Sequence, residues 1–163
     1  MKGIEKMIDL FYKRAEAKIS GSKDYRNVKG KVSFVQKRDG VIVTAEIYGL
    51  PEKECGSGVF GFHIHEGRAC TGNAADPFSD AGMHYNPKNC PHPYHSGDLP
   101  PLFAESGRAY MSFVTNKFKL SEVIGRAVII HSGPDDFTTQ PSGNSGEKIA
   151  CGIITAEKNS ISF

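Results

Sequence analysis

The chain contains no tryptophan, no long hydrophobic run and a net charge of only +2 over its 163 residues. A membrane-spanning helix needs about 20 consecutive apolar residues, so the lack of such a run excludes a helical membrane protein. The small charge, with no basic run interleaved with aromatic residues, excludes a nucleic-acid-binding surface. Nucleic acid and membrane are therefore not expected as partners.

Cysteine is scarce, and its spacing excludes a thiolate zinc cluster. The four cysteines, Cys55, Cys70, Cys90 and Cys151, include no Cys-x-x-Cys pair. Residues 1–11 are interrupted by charges and lack the apolar core of a secretory signal, which predicts a cytoplasmic protein. Four cysteines are unusual in reducing cytosol, and they favour the alternative of an exported protein whose signal is missing from this sequence.

One globular domain accounts for the bulk composition, which is 39% hydrophobic and 23% charged. We place that domain at residues 15–163 and treat residues 1–14 as an N-terminal extension. Ile4, Met7 and Phe11 recur at helical spacing in the extension. A short N-terminal helix and a frayed tail are both open interpretations of this segment.

Short strands predominate from residue 15 onward, where apolar and polar residues alternate between turn-forming residues. The predicted strands cover residues 15–19, 28–36, 41–48, 59–66, 108–115, 126–131 and 148–156. Residues 67–107 show almost no periodicity and are predicted to form one long functional loop. Many short strands with little helix indicate an all-β fold, an antiparallel β-sandwich or barrel.

Histidine is absent from the first 62 residues, and five of the six histidines then lie between residues 63 and 95. His63 and His65 are two apart on a predicted strand, so both imidazoles point to the same face. His131 ends the apolar run 127–130. The long loop adds His84, His92, His95 and Asp98. Neutral imidazole is the commonest protein ligand for zinc and copper, so this pattern predicts a metalloprotein.

Two metal sites can be assembled from these residues if one histidine serves both. Zinc prefers a closed tetrahedral set such as three nitrogens and one carboxylate oxygen, and copper prefers a nitrogen-rich set. The zinc set would then be His84, His92, His95 and Asp98. The copper set would be His63, His65, His84 and His131. The shared ring would be a deprotonated imidazole with one ion on each nitrogen, and composition and spacing alone leave this sharing open.

Several motifs resemble those of the copper-zinc superoxide dismutase family. They are GFHIHE at 61–66, GMHYNP at 82–87, HSGDL at 95–99, VIIH at 128–131, GNSG at 143–146 and ACGII at 150–154. The resemblance spans residues 15–156 and supplies a counterpart, in chain order, for every ligand of both sites. It implies an immunoglobulin-like Greek-key β-barrel or sandwich with long metal-binding loops. It also implies conversion of two superoxide anions to dioxygen and hydrogen peroxide.

The same resemblance implies roles for individual residues. Copper and zinc are the cofactors, held by the two sets above, with copper cycling between two oxidation states and zinc structural. The catalytic residues are His84, which gives a proton to the developing peroxide, and Lys148, at the mouth of the copper channel. Asp135 corresponds to the aspartate that links a copper histidine to a zinc histidine. Cys70 and Cys151 correspond to the family's disulfide.

Lys148 stands where the family usually has an arginine, and this departure predicts a reduced but real rate. Arginine presents a rigid fork of donors, whereas lysine is a mobile point charge that orients an anion less well. The loop 136–142 is also short, and its residues 137–140 carry no charge. Since the family's loop helps to steer superoxide, we expect weaker steering and a shallow dependence of the rate on ionic strength.

Cys55 and Cys90 are additional to the family's disulfide, and both lie in loops beside the predicted metal sites. We expect them to form a second disulfide, with two free thiols as the alternative. A metal-ligand role for Cys90 is disfavoured because the ligand sets are complete without it.

Two other functions fit parts of the pattern. The main alternative is a dismutase fold kept for metal storage or copper delivery with little turnover. Relatives of that kind typically lose a copper ligand, whereas this chain keeps all four. A zinc hydrolase is disfavoured because the zinc set already has four ligands and no free general base lies beside it. The partners expected for a dismutase are superoxide, a second copy of the chain in a homodimer, and a copper donor.

Overall fold

The computed structural model describes residues 13–157, so the helix considered for residues 4–11 lies outside the described residues. The strands are β1 (Arg14–Gly21), β2 (Lys29–Lys37), β3 (Gly40–Tyr48), β4 (Ser57–Phe60), β5 (Phe62–His65), β6 (Leu102–Glu105), β7 (Arg108–Thr115), β8 (Ala127–His131) and β9 (Lys148–Ala156). They are accompanied by a short helix, α1 (Leu120–Val123), and by 3-10 turns at Glu54–Gly56 and Ser79–Ala81. Among the described residues, no helix has the length and apolar character that crossing a membrane requires.

The strands form one antiparallel sheet that rolls into a nearly closed barrel. Neighbouring strands follow the order β4-β6-β7-β3-β2-β1-β9-β8-β5. The two edge strands, β4 and β5, are consecutive in sequence and separated by Gly61 alone, which brings the two edges together. The chain crosses between distant positions of the sheet from β3 to β4 and from β7 to β8, as in a Greek key. The predicted all-β Greek-key fold is confirmed.

Alternation along the strands explains how the barrel acquires its core. Alternate side chains of β1 and β3, including Ile19, Val43 and Ile47, are buried, and those between them are more exposed. Burial of such a side chain contributes about 1.5–3 kcal/mol. β5 and β8 differ because all their residues are buried. These two strands therefore have the barrel core on one face and covering loops on the other.

The strand predicted at residues 59–66 is in fact two strands, β4 and β5, which pair with β6 and β8 respectively. The break falls at Gly61, whose N–H donates to the Gly133 carbonyl over 2.7 Å. A Cβ added to Gly61 would lie 2.8 Å from Ser145 Cβ. A side chain at this position would therefore obstruct the loop between β8 and β9, which packs against the sheet edge here.

Strand β6 lies inside the stretch that was predicted to be one long loop, so that prediction is wrong for residues 102–105. The strand has only 4 residues, and its exposed Phe103 breaks the alternation of apolar and polar residues that would have indicated a strand. Its pairing with β4 and β7 makes it a strand.

The long loop between β5 and β6 is fastened to β9 by the Cys70–Cys151 disulfide, which spans a sequence separation of 81. Cys55 and Cys90 are free thiols, which contradicts the predicted second disulfide. They are held in different surroundings. The 3-10 turn of Cys55 is tied to the β6–β7 hairpin, because the Ser106 N–H donates to the Gly56 carbonyl. The Cys90 N–H instead donates to Asn86 within the long loop.

Candidate metal centre

Strands β5 and β8 place three of the histidines. β5 pairs with β8 with His63 opposite Ile129, and alternation puts His63 and His65 on one face of β5. His131 is the last residue of β8, and its N–H donates to the Gly61 carbonyl over 2.8 Å. As a result His65 Nε2 and His131 Nε2 lie 3.3 Å apart.

Backbone hydrogen bonds lay the long loop against β5 and bring His84 to the other histidines. The Ile64 N–H donates to the Gly97 carbonyl over 2.9 Å, and the Tyr85 N–H donates to the Ile64 carbonyl over 2.8 Å. An isolated bridge pairs His84 with His65. Residue 97 has to be glycine, because an added Cβ would lie 2.1 Å from the Ile64 carbonyl oxygen.

The same loop carries the remaining candidate ligands. Asp98 Oδ2 accepts a hydrogen bond from the His95 N–H over 2.9 Å, and Asp98 Oδ1 lies 2.7 Å from His84 Nδ1. His92 Nδ1 lies 3.1 Å from Asp98 Oδ2 but without hydrogen-bonding geometry. Lys117 anchors this part of the loop, since its Nζ donates to the carbonyls of His95 and Asp98 over 3.3 and 2.9 Å.

Two clusters of buried donor atoms result, and His84 belongs to both. Within each cluster the donor atoms lie within 4.8 Å of one another. The first cluster is formed by His63, His65, His84 and His131. The second cluster is formed by His84, His92, His95 and Asp98. The fold thus brings together the residues that the sequence suggested for copper and for zinc.

Several ring nitrogens in these clusters have no hydrogen-bond partner. Among the described residues, His63 Nδ1, His84 Nε2 and His92 Nδ1 are buried without one. An unsatisfied buried polar atom costs about 1–3 kcal/mol, and a bound cation removes this cost. The first cluster offers four nitrogens, and the second offers three nitrogens and an oxygen. The residues present therefore fit copper in the first cluster and zinc in the second.

Hydrogen bonds on the opposite ring nitrogens determine the tautomers in the first cluster. His65 Nδ1 donates to the Gly82 carbonyl over 2.8 Å, and His131 Nδ1 donates to the Gly146 carbonyl over 3.2 Å. Both rings therefore direct the lone pairs of their Nε2 atoms toward each other. Facing lone pairs repel, so this arrangement suits a cation bound to both nitrogens.

Asp135 connects the two clusters. His63 Nε2 donates to Asp135 Oδ2 over 2.7 Å, and His92 Nε2 donates to Asp135 Oδ1 over 2.8 Å. The Phe137 N–H donates to the same Oδ1 over 2.8 Å. Gly143 packs beside this link, where an added Cβ would lie 2.0 Å from Asp135 Oδ1 and 2.6 Å from His92 Nε2. Asp135 thus orients one imidazole ring of each cluster.

Burial favours the neutral histidines that metal binding requires. It lowers the pKa of His63 to about 4 and the pKa of His131 to about 3, and it holds the pKa of His65 well below its usual value. Burial opposes ionisation of Asp135, but the hydrogen bonds from His63 and His92 outweigh it and hold the pKa of this carboxyl well below its usual value. Neutral imidazoles and ionised carboxylates are the forms that bind divalent ions.

A cavity of about 340 Å³ opens onto the first cluster. Its lining includes His65, His84, His131, Asp76, Glu147 and Lys148. Lys148 begins β9 and pairs with His131 across the strands, which places its side chain beside the first cluster. Lys148 Nζ donates to Asp76 Oδ2. A larger surface groove of about 570 Å³, lined by residues such as Lys37 and Lys88, contains none of the candidate ligands.

Two residues of the site were not found from the sequence. Asp76 contacts Lys148 at the cavity, and Lys117 holds the backbone of the long loop. Neither residue belongs to a recognisable motif, and no local spacing distinguishes either from an ordinary surface charge. Only the folded chain brings them to the site.

The fold and the site define a class of protein, an antiparallel barrel in which a four-nitrogen site and a mixed nitrogen-oxygen site share one histidine. Residues 28–154 match the model of the family described as copper/zinc superoxide dismutase. The chain belongs to the copper/zinc superoxide dismutase family, which has copper and zinc as its cofactors.

Curated relatives agree with this assignment. The chain is 37% identical over 133 residues to a Cu-Zn superoxide dismutase of Legionella pneumophila, covering 77% of this chain and 76% of that protein. It is 35% identical over 147 residues to one from Deinococcus radiodurans, covering 79% and 78%. It is 32% identical over 142 residues to Cu-Zn superoxide dismutase 2 of Aquifex aeolicus, covering 78% and 79%. The family implied by the motifs is confirmed.

Proposed function

We propose that this chain catalyses the disproportionation of superoxide, in which two superoxide anions and two protons give dioxygen and hydrogen peroxide. The observation that carries the proposal is the position of His84. Its Nδ1 lies 2.7 Å from Asp98 in the second cluster, and its Nε2 is buried without a hydrogen-bond partner in the first. One ring can therefore serve a copper site and a zinc site together.

The ligand atoms follow from the hydrogen bonds on the rings. The residues that would hold copper are His63 through Nδ1 and His65, His84 and His131 through Nε2. The residues that would hold zinc are His84, His92 and His95 through Nδ1 and Asp98 through a carboxylate oxygen. Bound copper supplies the one-electron oxidation and reduction of superoxide, and bound zinc neutralises charge in the second cluster.

His84 is proposed to act as the proton donor of the reaction. His84 lines the cavity, and its Nε2, when it is not a copper ligand, can hold a proton there while its Nδ1 stays beside Asp98. The ring therefore keeps its orientation while the proton is on Nε2. The proton is then given to the developing peroxide as it leaves, which is general acid catalysis by a positioned imidazole.

Lys148 is proposed to attract and hold the superoxide anion. It lines the cavity together with His84 and His131, and its side chain is only 16% exposed. A lysine amine orients a small anion less well than the fork of an arginine guanidinium. We therefore infer a rate below that of a dismutase with arginine at this position.

Metal analysis with an electron spin resonance spectrum, run beside a superoxide assay, tests the proposal. We expect removal of copper to abolish the activity, and copper, but not zinc alone, to restore it. A copper spectrum with nitrogen ligands but no superoxide turnover would instead support the copper-storage or copper-delivery function. Activity with zinc alone would contradict both functions.

We further propose that the chain forms a homodimer through the outer face of β6 and β7. On these neighbouring strands Phe103 is 72% exposed, Tyr110 is 71% exposed and Val114 is 67% exposed. A group of large apolar side chains exposed together is typical of a protein interface. Sedimentation velocity should show a dimer for the parent chain and a monomer for Phe103→Lys.

Tyr94→Lys is the matched control. Tyr94 is 69% exposed, but it lies on the long loop and not on β6 or β7, so this variant should remain a dimer. A parent chain that sediments as a monomer at all concentrations would overturn this proposal. A copper donor and the cytoplasmic or exported location stay predictions.

A further inference from the structure

The Lys148 amine at the cavity already forms an ion pair with a carboxylate. Lys148 Nζ donates to Asp76 Oδ2, and the two side chains are 16% and 36% exposed. Both residues line the cavity that contains His65, His84 and His131. The lysine proposed to bind the substrate anion therefore already has an anionic partner.

The surrounding loop holds Asp76 in place. Asp76 Oδ1 accepts a hydrogen bond from the Phe78 N–H over 3.0 Å, and the Asp76 N–H donates to Asn73 Oδ1 over 3.0 Å. The Asp76 carbonyl also accepts hydrogen bonds from the backbone of Asn73 and Ser79. The Cys70–Cys151 disulfide fastens this segment to β9, the strand that begins with Lys148. The carboxylate and the amine are thus held on two segments that are covalently joined.

A second carboxylate lies in the same cavity lining. Glu147 precedes Lys148, and its Oε1 accepts a hydrogen bond from Tyr25 Oη over 2.5 Å. The lining of this cavity therefore includes two acidic residues besides Lys148. Nearby negative charges weaken the attraction of a cation for an entering anion.

We propose that Asp76 is a positioning residue that holds the Lys148 amine and competes with anions for it. The inference rests on the proposed role of Lys148. An anion that enters the cavity has to share the amine with the Asp76 carboxylate or displace it. Asp76 therefore sets how tightly small anions bind at the first cluster, and it makes their binding weaker than Lys148 alone would allow.

The test uses the copper- and zinc-loaded protein and azide, a small anion whose binding at copper is followed by optical titration. Asp76→Asn keeps the shape of the side chain and an oxygen that can accept from Phe78, but it removes the charge that holds Lys148. We expect azide to bind roughly threefold or more tightly.

Asp39→Asn is the matched control, because it removes the same charge from a side chain that is 94% exposed on the β2–β3 hairpin. Asparagine suits this Asp-Gly turn equally well. We expect it to leave azide affinity unchanged.

A second measurement observes the amine itself. An amine that is hydrogen-bonded to a carboxylate reacts slowly with an acylating reagent, because it has to leave that partner before its nitrogen can attack the reagent. Mass spectrometry of the metal-loaded protein should show faster labelling of Lys148, relative to the exposed Lys18, in Asp76→Asn than in the parent. Asp76→Ser serves the same purpose if the asparagine variant does not fold.

Lys148→Met separates this inference from the proposed role of Lys148. If Lys148→Met does not weaken azide binding, that role fails and this inference fails with it. If Lys148→Met weakens binding, Asp76→Asn should strengthen it in the parent and have little effect in the Lys148→Met background. If Asp76→Asn has no effect on azide binding in the parent, or an equal effect in both backgrounds, this inference is wrong while the proposed role of Lys148 stands.

Discussion

At the scale of single residues, the proposed role of Lys148 predicts that anion binding at the cavity depends on the cation at position 148. Replacement by arginine should raise kcat/KM at low ionic strength by about twofold or more. A guanidinium has two edges with donors, so one edge can contact Asp76 while the other receives the anion. Superoxide assays over a range of salt concentrations measure the effect.

Lys18→Arg, on the exposed side of β1, is the control for this substitution and should not change the rate. A Lys148→Arg variant no faster than the parent at low salt would count against the proposed role of the amine. The parent should also show only a shallow dependence on salt, because Asp76 already offsets the charge of Lys148.

A second residue-scale prediction concerns Gly143, which has a φ of +75° and lies against the link between Asp135 and His92. In Gly143→Ala the new methyl group would displace the Asp135 carboxylate and free the His92 ring. Loss of such a supporting hydrogen bond typically lowers metal affinity about 10- to 100-fold. Zinc competition with a chelator measures the loss.

Gly56→Ala is the matched control for Gly143→Ala. Gly56 has a φ of +74°, so it carries the same backbone strain, but an added Cβ would have no neighbour closer than 4.0 Å. Zinc affinity should be unchanged in this variant. Equal zinc affinity in Gly143→Ala and the parent would show that the link does not support the zinc site.

At the scale of elements, the disulfide joins the long loop, which carries four of the candidate ligands, to β9, which begins with Lys148. Cys70 and Cys151 are separated by 81 residues, and closing a loop of this size stabilises the folded state by about 4 kcal/mol in the chain-entropy model. Cys151→Ser should lower the free energy of unfolding of the metal-free protein by an amount of this order. Denaturant unfolding measures it.

Cys55→Ser is the control, because Cys55 is an exposed free thiol. Its free energy of unfolding should equal that of the parent. The parent under reducing conditions should behave like Cys151→Ser, and an unchanged stability after reduction would refute the structural role of the disulfide.

Local sequence patterns predict most of the strands but not all of their boundaries. Alternation located most of the strands, since burial on one face of a strand leaves a period of two in the sequence. β6 has 4 residues and becomes a strand only through its partners. The division at Gly61 was equally hidden, because Phe60, Phe62 and Ile64 continue one apparent alternation although β4 and β5 pair with different neighbours.

At the scale of the whole molecule, buried histidines make the stability of the metal-free protein depend on pH. Burial lowers the pKa of His63 to about 4 and that of His131 to about 3 in the folded state. An unfolded histidine has a pKa of about 6.5, so the unfolded chain binds more protons between these values. The free energy of unfolding should therefore fall as the pH falls from about 6.5 to about 4.

The carboxyls of Asp98 and Asp135, whose folded pKa values are lowered, add to this loss only at still lower pH. Denaturant unfolding of the metal-free protein at about pH 7 and about pH 5 measures the histidine contribution. His131→Gln removes one titrating ring and should show a smaller difference between the two values. A parent stability that is the same at both pH values would contradict the prediction.

The sequence by itself determined the all-β class and the family, and it supplied the candidate ligands. These depend on features that are local or ordered along the chain, such as His63 and His65 two apart on a strand, and motifs that follow one another in a fixed order. The tertiary structure placed His84 in both clusters, which spacing alone had left open, and it alone decided that Cys55 and Cys90 are free thiols and that Asp76 holds Lys148. These contacts involve residues that are far apart in the chain. Their distances depend on how the loops pack on the barrel, and a local sequence pattern contains no information about that packing.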